Sequence, residues 1–457
     1  MKQVGILVAV AALAGCASAP SRSPIVQPRA LGRDVPVFWP VRNDSGRPAT
    51  SAPVGANDSL ALRDAVAAAL LHSPTLAGYA WDVRAREAQL LQVTRFPNPV
   101  VGFLAEDVGA SPVGSGNAAQ QVIEPQTTIQ LSQLVELPGK RLARRRMATA
   151  DRDLAGWDYE SARIDLLTRV TQTFVDLLAA QEMVALTTQA TATADQVLQS
   201  VAARVQAGVA SPIEATKADI GLASARIESE RATQRLDVVR HKLASEWGAA
   251  APDFAAVRGD LSTVAAPPTH AALAAQLTEN PELARWTAEI SRRRSALSFE
   301  SAKRLPDVSV IAGQRTFTEL NTDAYVVGAS IALPLFDRNQ GGTAEAKSLL
   351  NKSYEARRAA ELRVGLALTT AHSALTTAYR EATTLRETIL PRSQEAFDAV
   401  SEGYRLGRFG LLDVLDAQRT LTSARTQALR AGGEYHKAVA EVERLIGAPL
   451  PTVTRER

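Results

Sequence analysis

The chain has 457 residues with a net charge of +3, and this near balance of charge gives no indication of a polyanionic partner such as nucleic acid. Aromatic residues make up only 5% of the chain, and long stretches consist of alanine, leucine, glutamine, arginine and glutamate. That composition favours long helices over a compact globular enzyme. Cys16 is the single cysteine, so no disulfide can form within the chain.

Residues 1–15 resemble a bacterial signal peptide, because Lys2 precedes an apolar run too short to remain as a membrane-spanning helix. The following "LAGC" resembles a lipobox, in which Cys16 would be acylated and become the first residue of the mature protein. The alternative is an ordinary signal peptide in which Cys16 is incidental. In such lipoproteins an Asp directly after the cysteine tends to retain the protein at the inner membrane. This position is Ala17 here, which implies that the protein would be sent to the outer membrane. A lipid on Cys16 is the only covalent group that we expect, and no cofactor is predicted.

Residues 16–57 contain seven prolines and no helical period, so they predict an extended tether between lipid and folded body. No uncharged apolar stretch of about 18 residues follows the signal segment. If the protein spans a membrane, the sequence therefore predicts that it does so as a β-barrel.

The rest of the chain consists of one unit that occurs twice. "RVQAGVASPIEATKAD" at 204–219 aligns with "YRLGRFGLLDVLDAQ" at 404–418, with Gly208 over Gly407. "EWGA" at 246–249 aligns with "LIGA" at 445–448. Several motifs in the same order indicate an internal duplication. The predicted segments are a first repeat at 58–248, a linker at 249–278, a second repeat at 279–448 and a tail at 449–457.

Each repeat predicts a helix, a pair of strands and a long helical hairpin. Ser73 and Asn280, each followed by proline, predict the starts of the first helices. Alternating apolar residues predict the strands. The predicted ranges are about 98–108 and 125–135 for the first strand pair, 306–318 and 324–334 for the second, and 140–248 and 343–447 for the helical hairpins.

The hairpins carry clear start, stop and packing signals. Pro391 predicts a kink in the second long helix. Ser211 before Pro212 predicts an N-cap, and Glu214 is placed to complete a capping box. Gly248 and Gly447 are predicted to end the return helices. A seam of heptad spacing is predicted by Leu368, Ala371, Leu375, Ala378, Ala382, Leu385 and Ile389.

Four strands are too few for a membrane barrel, since the smallest known barrels need about eight. Two or three chains would have to pool their strands, while a helix over residues 140–207, roughly 100 Å long, projects away from the bilayer. The duplication, the strand pairs, these helices and the "YxxGxxxLLDVLDAQ" turn resemble the TolC-type outer membrane factor family over about residues 58–448.

This resemblance implies a mainly α fold with a membrane β-barrel portion. Three protomers would form a twelve-stranded barrel that a periplasmic α-helical tunnel continues. The homotrimer would sit in outer-membrane lipid and dock on a periplasmic adaptor and an inner-membrane RND-type pump. "QLSQLVELPGKR" at 130–141 and the lipobox are most similar to the CzcC-type proteins of heavy-metal efflux.

The resemblance also implies a periplasmic gate at the second helical turn. Asp413 and Asp416 share one helix face, and threefold symmetry would gather six carboxylates into a mutually repelling, cation-attracting constriction. The alternative is that the acids merely favour the start of a helix, and for Glu214, at the equivalent position of the first repeat, we favour the capping box. Tyr404 matches a residue that, in the family, takes part in the contacts of the closed channel. Some members of the family carry an Arg at the position of Phe409, and that Arg pairs across the aperture. Phe409 therefore favours an apolar constriction over one closed by a salt bridge.

The same turns are implied to carry the adaptor-docking surface. The alternative is that their glycines only allow the chain to reverse. The candidate docking residues are Val205, Gly208, Val209, Ala210, Ser211, Leu406, Gly407, Gly410 and Leu411.

A basic cluster after the second strand is predicted to lie near lipid headgroups, with a solvated helix face as the alternative. It consists of Lys140, Arg141, Arg144, Arg145 and Arg146. No aromatic residues interleave it, so no nucleic acid is expected. The histidines are scattered and no catalytic motif is present, so we predict neither a metal site nor an enzyme. The leading hypothesis is an exit duct for heavy-metal cations. A duct for drugs or small organic molecules and a periplasmic coiled-coil scaffold lipoprotein are the alternatives.

Overall fold

The computed structural model describes residues 26–40, 59–108, 125–136, 139–318 and 321–450. Cys16, the signal segment and nearly all of the predicted tail lie outside these ranges. Within the described ranges, the helices include none with the length and apolar character that crossing a membrane requires.

The first repeat contains two short helices, two strands and a long helical hairpin. Its elements are β1 (Ser59–Leu60), α1 (Leu62–His72), α2 (Pro74–Val93), β2 (Val100–Glu106), β3 (Gln126–Val135), α3 (Lys140–Gln206) and α4 (Pro212–Ser245). The predicted strands and hairpin are therefore present, with ends that differ by a few residues. The sequence did not predict α1 or β1, which have no distinctive alternation or cap.

The linker and second repeat follow the same order. Their elements are β4 (Ala256–Val257), α5 (His270–Ala275), a 3-10 turn (Gln276–Glu279), α6 (Pro281–Ala302), β5 (Val308–Phe317), β6 (Thr322–Ile331), α7 (Gln340–Thr384), a π-helical turn (Leu385–Ile389), α8 (Leu390–Arg405) and α9 (Leu411–Ile446). β4 lies parallel to β1, so the linker ties back to the start of the first repeat.

Four glycines at equivalent positions show the duplication in the backbone. Gly208 and Gly407 reverse the two hairpins with φ of 76° and 74°. Gly248 and Gly447 follow the return helices with φ of 80° and 67°. Only glycine adopts this left-handed conformation without steric cost, so the predicted reversal and stop signals are confirmed.

The predicted heptad seam is buried against α9, except at its last residue, Ile389. Leu368, Ala371, Leu375 and Ala378 are buried against Tyr435 and other residues of α9. Ala382 and Leu385 are buried against Ala431. Ile389 is 40% exposed, and the seam stops at the π-helical turn.

The break near Pro391 differs in form from the predicted kink. The irregularity lies before the proline, in the π-helical turn Leu385–Ile389. Proline has no N–H to donate to the preceding turn and its ring crowds the carbonyl there. Widening that turn accommodates both defects and lets the helix continue as α8.

Residues 26–40 are not a free tether, which corrects that part of the prediction. Leu31 N donates to Gly447 O at 3.1 Å, and Phe38 N donates to Leu70 O at 3.1 Å. Arg29 N donates to the Glu160 carboxylate, which pairs with Arg163 in the interior. The segment therefore packs on both repeats, and proline content alone did not reveal these backbone hydrogen bonds.

The four longer strands form one antiparallel sheet in the order β2–β3–β5–β6. Pairing of β3 with β5 joins the two repeats edge to edge. The register places mainly apolar, exposed side chains on one face, and this outer face includes Val101, Phe103, Ile129, Leu131, Tyr325 and Val327. The inner face is rich in polar and small residues, among them Glu106, Gln130, Ser132, Gly313, Arg315 and Ser330.

Candidate functional site at the helical tips

The ends of the two hairpins remote from the sheet pack against each other. A small apolar cluster joins them and comprises Val201, Ala218, Tyr404, Leu411 and Val414. Two of these residues come from the first repeat and three from the second. The two reversals therefore form one surface rather than two separate loops.

Tyr404 lies at the centre of this junction. Its side chain is 5% exposed, and the guanidinium carbon of Arg204 lies 4.7 Å from the centre of its ring. Arg204 Nη1 also donates to the backbone carbonyl of Tyr404 at 3.3 Å. Burial raises the pKa of the Tyr404 hydroxyl, Arg204 opposes that shift, and Glu214 adds to it. The predicted closed-state residue is thus held by an arginine of the other hairpin.

Sequence reasoning missed Arg204. It lies four residues before Gly208 in the last turn of α3, where a basic residue has an ordinary explanation as a partner of the helix dipole. Its contact with Tyr404 spans the two repeats, and no local pattern encodes that distance.

The predicted gate carboxylates differ in their surroundings. Gly410 N donates to Asp413 Oδ2 at 2.9 Å, so this acid caps the start of α9. Asp416 is exposed, and no ion pair or hydrogen bond involves its carboxylate within the described residues. The helix-start alternative therefore holds for Asp413, without removing its charge from the tip.

The capping box predicted for Glu214 is wrong in this structure. Ser211 caps α4 by accepting from Ile213 N at 3.4 Å, but within the described residues Ser211 N does not donate to the Glu214 carboxylate, which is the bond that a capping box requires. In the second repeat only half of a capping box forms, because Asp413 accepts from Gly410 N while Gly410 has no side chain with which to bond the Asp413 N–H. Because an aspartate and a glutamate occupy equivalent positions, the spacing alone could not distinguish them.

Phe409 lies over Gly403 and is half exposed. A Cβ atom built on Gly403 would come within 2.2 Å of the Phe409 ring, so only glycine leaves room for this ring position. Phe409 therefore contributes an apolar surface at the turn, and its place in a constriction stays a prediction.

Most of the predicted docking residues are accessible at the two turns. Val209 and Leu406 are exposed, and so are Gly208, Ser211, Gly407 and Gly410, whereas Val205 and Ala210 are half-buried. Leu411 is 4% exposed and belongs to the junction, so it cannot present its side chain to a partner. Its neighbour Leu412 is 63% exposed, so Leu412 is the leucine that presents its side chain to solvent at this turn. The choice between these two leucines depends on helix phase, which the sequence did not fix at the turn.

The basic cluster at the other end of α3 is largely engaged within the chain. Lys140 Nζ lies 2.8 Å from Asp307 Oδ1. Arg144 forms two hydrogen bonds to Glu136, at 2.7 and 2.8 Å. Arg141 donates to the Thr94 carbonyl and stacks on Phe96. Only Arg145 and Arg146 of the five are exposed, so the cluster chiefly joins the sheet to the helices.

No group of three or more His, Cys, Asp or Glu residues that could hold a metal ion occurs in the described part of the chain. The tips offer two exposed turns, an acidic helix start and a buried tyrosine–arginine contact. The opposite end offers a sheet with an exposed apolar face. Together these features define a subunit of a membrane-associated channel with a long helical extension.

Comparison with known proteins agrees with that class. The sequence profile of the family described as outer membrane efflux protein matches residues 65–249 and 273–448. The chain therefore belongs to the outer membrane efflux protein family. It is 33% identical to the cobalt-zinc-cadmium resistance protein CzcC of Cupriavidus metallidurans over 90% of this chain and 96% of that protein. It is 26% identical to the nickel and cobalt resistance protein CnrC of the same species, over 59% of this chain and 62% of that protein.

The fold is that of solved outer membrane channels. The chain superposes on the open state of the MtrE outer membrane channel of Neisseria gonorrhoeae with a TM-score of 0.69 and 18% identity. That superposition covers 95% of this chain and 98% of MtrE. The resemblance to efflux channels and to the CzcC-type proteins is therefore confirmed.

Proposed function

We propose that this protein is the outer-membrane duct of a tripartite system that exports heavy-metal divalent cations. The similarity to CzcC, over nearly the whole length of both proteins, is the observation that carries the choice of cargo. The protein conducts passively, and selection of the metal belongs to the inner-membrane pump. CzcC and CnrC are both metal resistance proteins, and this favours metal cations over drugs or organic molecules as the cargo.

The membrane part of the duct is a barrel to which three chains contribute their four-stranded sheets. In a single chain, β2 and β6 are the edges of the sheet, and unpaired edges in lipid cost several kcal/mol for each unsatisfied group. Pairing β6 of one chain with β2 of the next removes every edge and gives twelve strands. The mainly apolar outer face, with Phe103, Tyr325 and Val327, then meets lipid.

The helical tips form the entrance for the cargo. Three copies of Asp413 and Asp416 place six carboxylates within one helical turn of each other along the axis, where they attract cations and repel each other. The contact between Arg204 and Tyr404 keeps the two hairpins of each chain together beside this ring. The exposed turn residues Val209, Leu406 and Leu412 are the surface on which a periplasmic adaptor docks.

The proposed anchor is a lipid on Cys16, inserted in the outer membrane of a Gram-negative bacterium. Residues 26–40 pack on the helical body, so the chain between Cys16 and this segment has to reach the membrane. An RND-type pump joins the system through the adaptor.

The test is the tolerance of a deletion strain to Co²⁺, Zn²⁺, Cd²⁺ and Ni²⁺, with a set of antibiotics measured in parallel. Loss of tolerance to the metals, restored by the wild-type chain, is the expected result. Sensitivity to antibiotics with unchanged metal tolerance would refute the proposed cargo while leaving the duct intact. Metal tolerance that is unchanged on deletion, with no new drug sensitivity, would refute the export role.

A further inference from the structure

The inner face of the sheet carries one acidic and one basic residue at the end farthest from the helices. The four longer strands contain three charged residues, Glu106, Arg315 and Asp323. The register places Glu106 and Arg315 on the inner face and Asp323 on the outer face. Helices α3 and α7 begin after the other ends of β3 and β6, away from these charges. We call the charged end of the sheet, which is remote from the helices, its outer mouth.

The two inner charges are bound to each other across a third strand. Arg315 Nη2 lies 3.0 Å from Glu106 Oε2. Arg315 Nε donates to Thr128 Oγ1, also at 3.0 Å. Thr128 is 2% exposed on β3, between the strands that carry the two charges. The guanidinium is thus held at two points and keeps a fixed position beside the carboxylate.

The neighbouring inner row on the side of the helices carries no charged residue. Gly102, Gln130 and Gly313 pair across this row. A Cβ on Gly313 would lie 2.9 Å from the Gln130 backbone, so no larger residue fits there. Within these strands, the charged side chains of the inner face are therefore confined to the level of Glu106 and Arg315.

We propose that Glu106, Arg315 and Thr128 form a charge-compensated ring that sets the ion selectivity of the outer mouth. This inference rests on the proposed trimeric duct, in which threefold symmetry repeats the pair three times around the lumen. Three bare carboxylates at the mouth would retain an emerging divalent cation, and three bare guanidiniums would repel it. Conduction requires sites that an ion can both enter and leave, and the fixed pair satisfies that condition because neither charge faces the lumen alone.

The experiment measures the permeability ratio of K⁺ to Cl⁻ through the purified full-length protein in planar lipid bilayers. Arg315→Gln leaves the carboxylates unpaired and should raise the ratio, whereas Glu106→Gln leaves the guanidiniums unpaired and should lower it. A unit charge close to a permeating ion shifts its local population about fivefold even in water, so each variant should change the ratio by about this factor. The double variant should return close to the wild-type ratio.

Asp323→Asn is the matched control, because Asp323 lies close to the level of the pair but on the outer face, where Thr316 donates to it at 2.8 Å. Its permeability ratio should equal that of the wild type. Opposite shifts in the two single variants, with no shift in the control, support the ring. Unchanged or parallel shifts in the two variants, in proteins that still form channels, would overturn it. Failure of the wild-type protein to form any channel would instead overturn the proposed function, and the ring with it.

Discussion

Removing the contact between Arg204 and Tyr404 should open the periplasmic tip, whereas removing only the tyrosine hydroxyl should not. The hydroxyl is buried and has no hydrogen-bond partner among the described residues. Tyr404→Phe therefore keeps the ring, its burial and its place beside Arg204, and loses nothing that the structure shows to be bonded. We expect its effect on tip stability to be near zero.

Tyr404→Ala removes the aromatic ring of the contact, and Arg204→Met removes only its positive charge. Truncation of the buried ring costs about 3–5 kcal/mol, by analogy with other large aromatic residues cut to alanine. Arg204→Met keeps an apolar stem but loses a cation–π contact at 4.7 Å, which contributes about 1 kcal/mol. A loss of about 1 kcal/mol changes a two-state population about fivefold.

The assay is the open fraction of single channels in planar bilayers, with the thermal midpoint of the purified protein measured in parallel. The expected order of open fraction is wild type equal to Tyr404→Phe, then Arg204→Met, then Tyr404→Ala. If Tyr404→Phe opened the channel as much as Arg204→Met, the hydroxyl would have an essential partner and the reasoning would be wrong. Equal open fractions in all four proteins would show that parting the two hairpins is not the opening step.

Three further predictions concern single features of the structure. Asp413→Asn with Asp416→Asn should weaken block by divalent cations, because the carboxylate ring loses its charge; unchanged block in single-channel recordings would remove the ring. Gly432→Ala should lower the thermal midpoint, because a Cβ there would lie 2.6 Å from the Leu261 carbonyl oxygen, while Gly433→Ala, with 3.9 Å to its nearest neighbour, should not; equal midpoints would contradict this. Hydrogen bonds from Thr263 and Ser262 lower the pKa of Asp260 from 3.8 to about 2. Since the folded pKa lies below the unfolded one, Asp260 stabilises the fold above about pH 4, and this contribution is lost as the pH falls towards 2. Melting curves of Asp260→Ala should show a deficit at pH 7 that shrinks at low pH, and a constant deficit would argue against the linkage.

The sequence predicted the elements whose signals are local and repeated. Gly208 and Gly407 revealed the duplication because both need a positive φ, and that need survives divergence of the surrounding residues. The strands were found because residues on one face alternate with a period of two. The heptad seam from Leu368 to Leu385 was found for the same reason, since its period follows from helix geometry.

The interactions that the sequence did not predict join residues far apart in the chain. Arg204 and Tyr404 are separated by 200 positions, and Arg29 reaches Glu160 from a segment that resembles a tether. The phase of a helix at its first turn is also poorly encoded, which is why Leu411 was expected at the surface and Leu412 was not. Both repeats place an acid at the same helix-start position, and the sequence did not show that Asp413, and not Glu214, accepts from the N-cap backbone.

The two repeats have diverged in a way that places the more adaptable hairpin in the second one. α3 runs for 67 residues without interruption, whereas the corresponding helix of the second repeat is broken at Leu385–Ile389. Just below that break the helices make polar contacts, with Arg425 bonded to Gln394 at 2.7 Å, before the apolar cluster at the tip begins. Polar contacts and a widened turn resist local opening less than a packed seam does. Amide hydrogens of residues 385–394 should therefore exchange faster than those of residues 368–382 in the assembled protein. Equal protection of the two stretches would mean that the π-helical turn is as rigid as the seam, and that movement of the tip has to begin elsewhere.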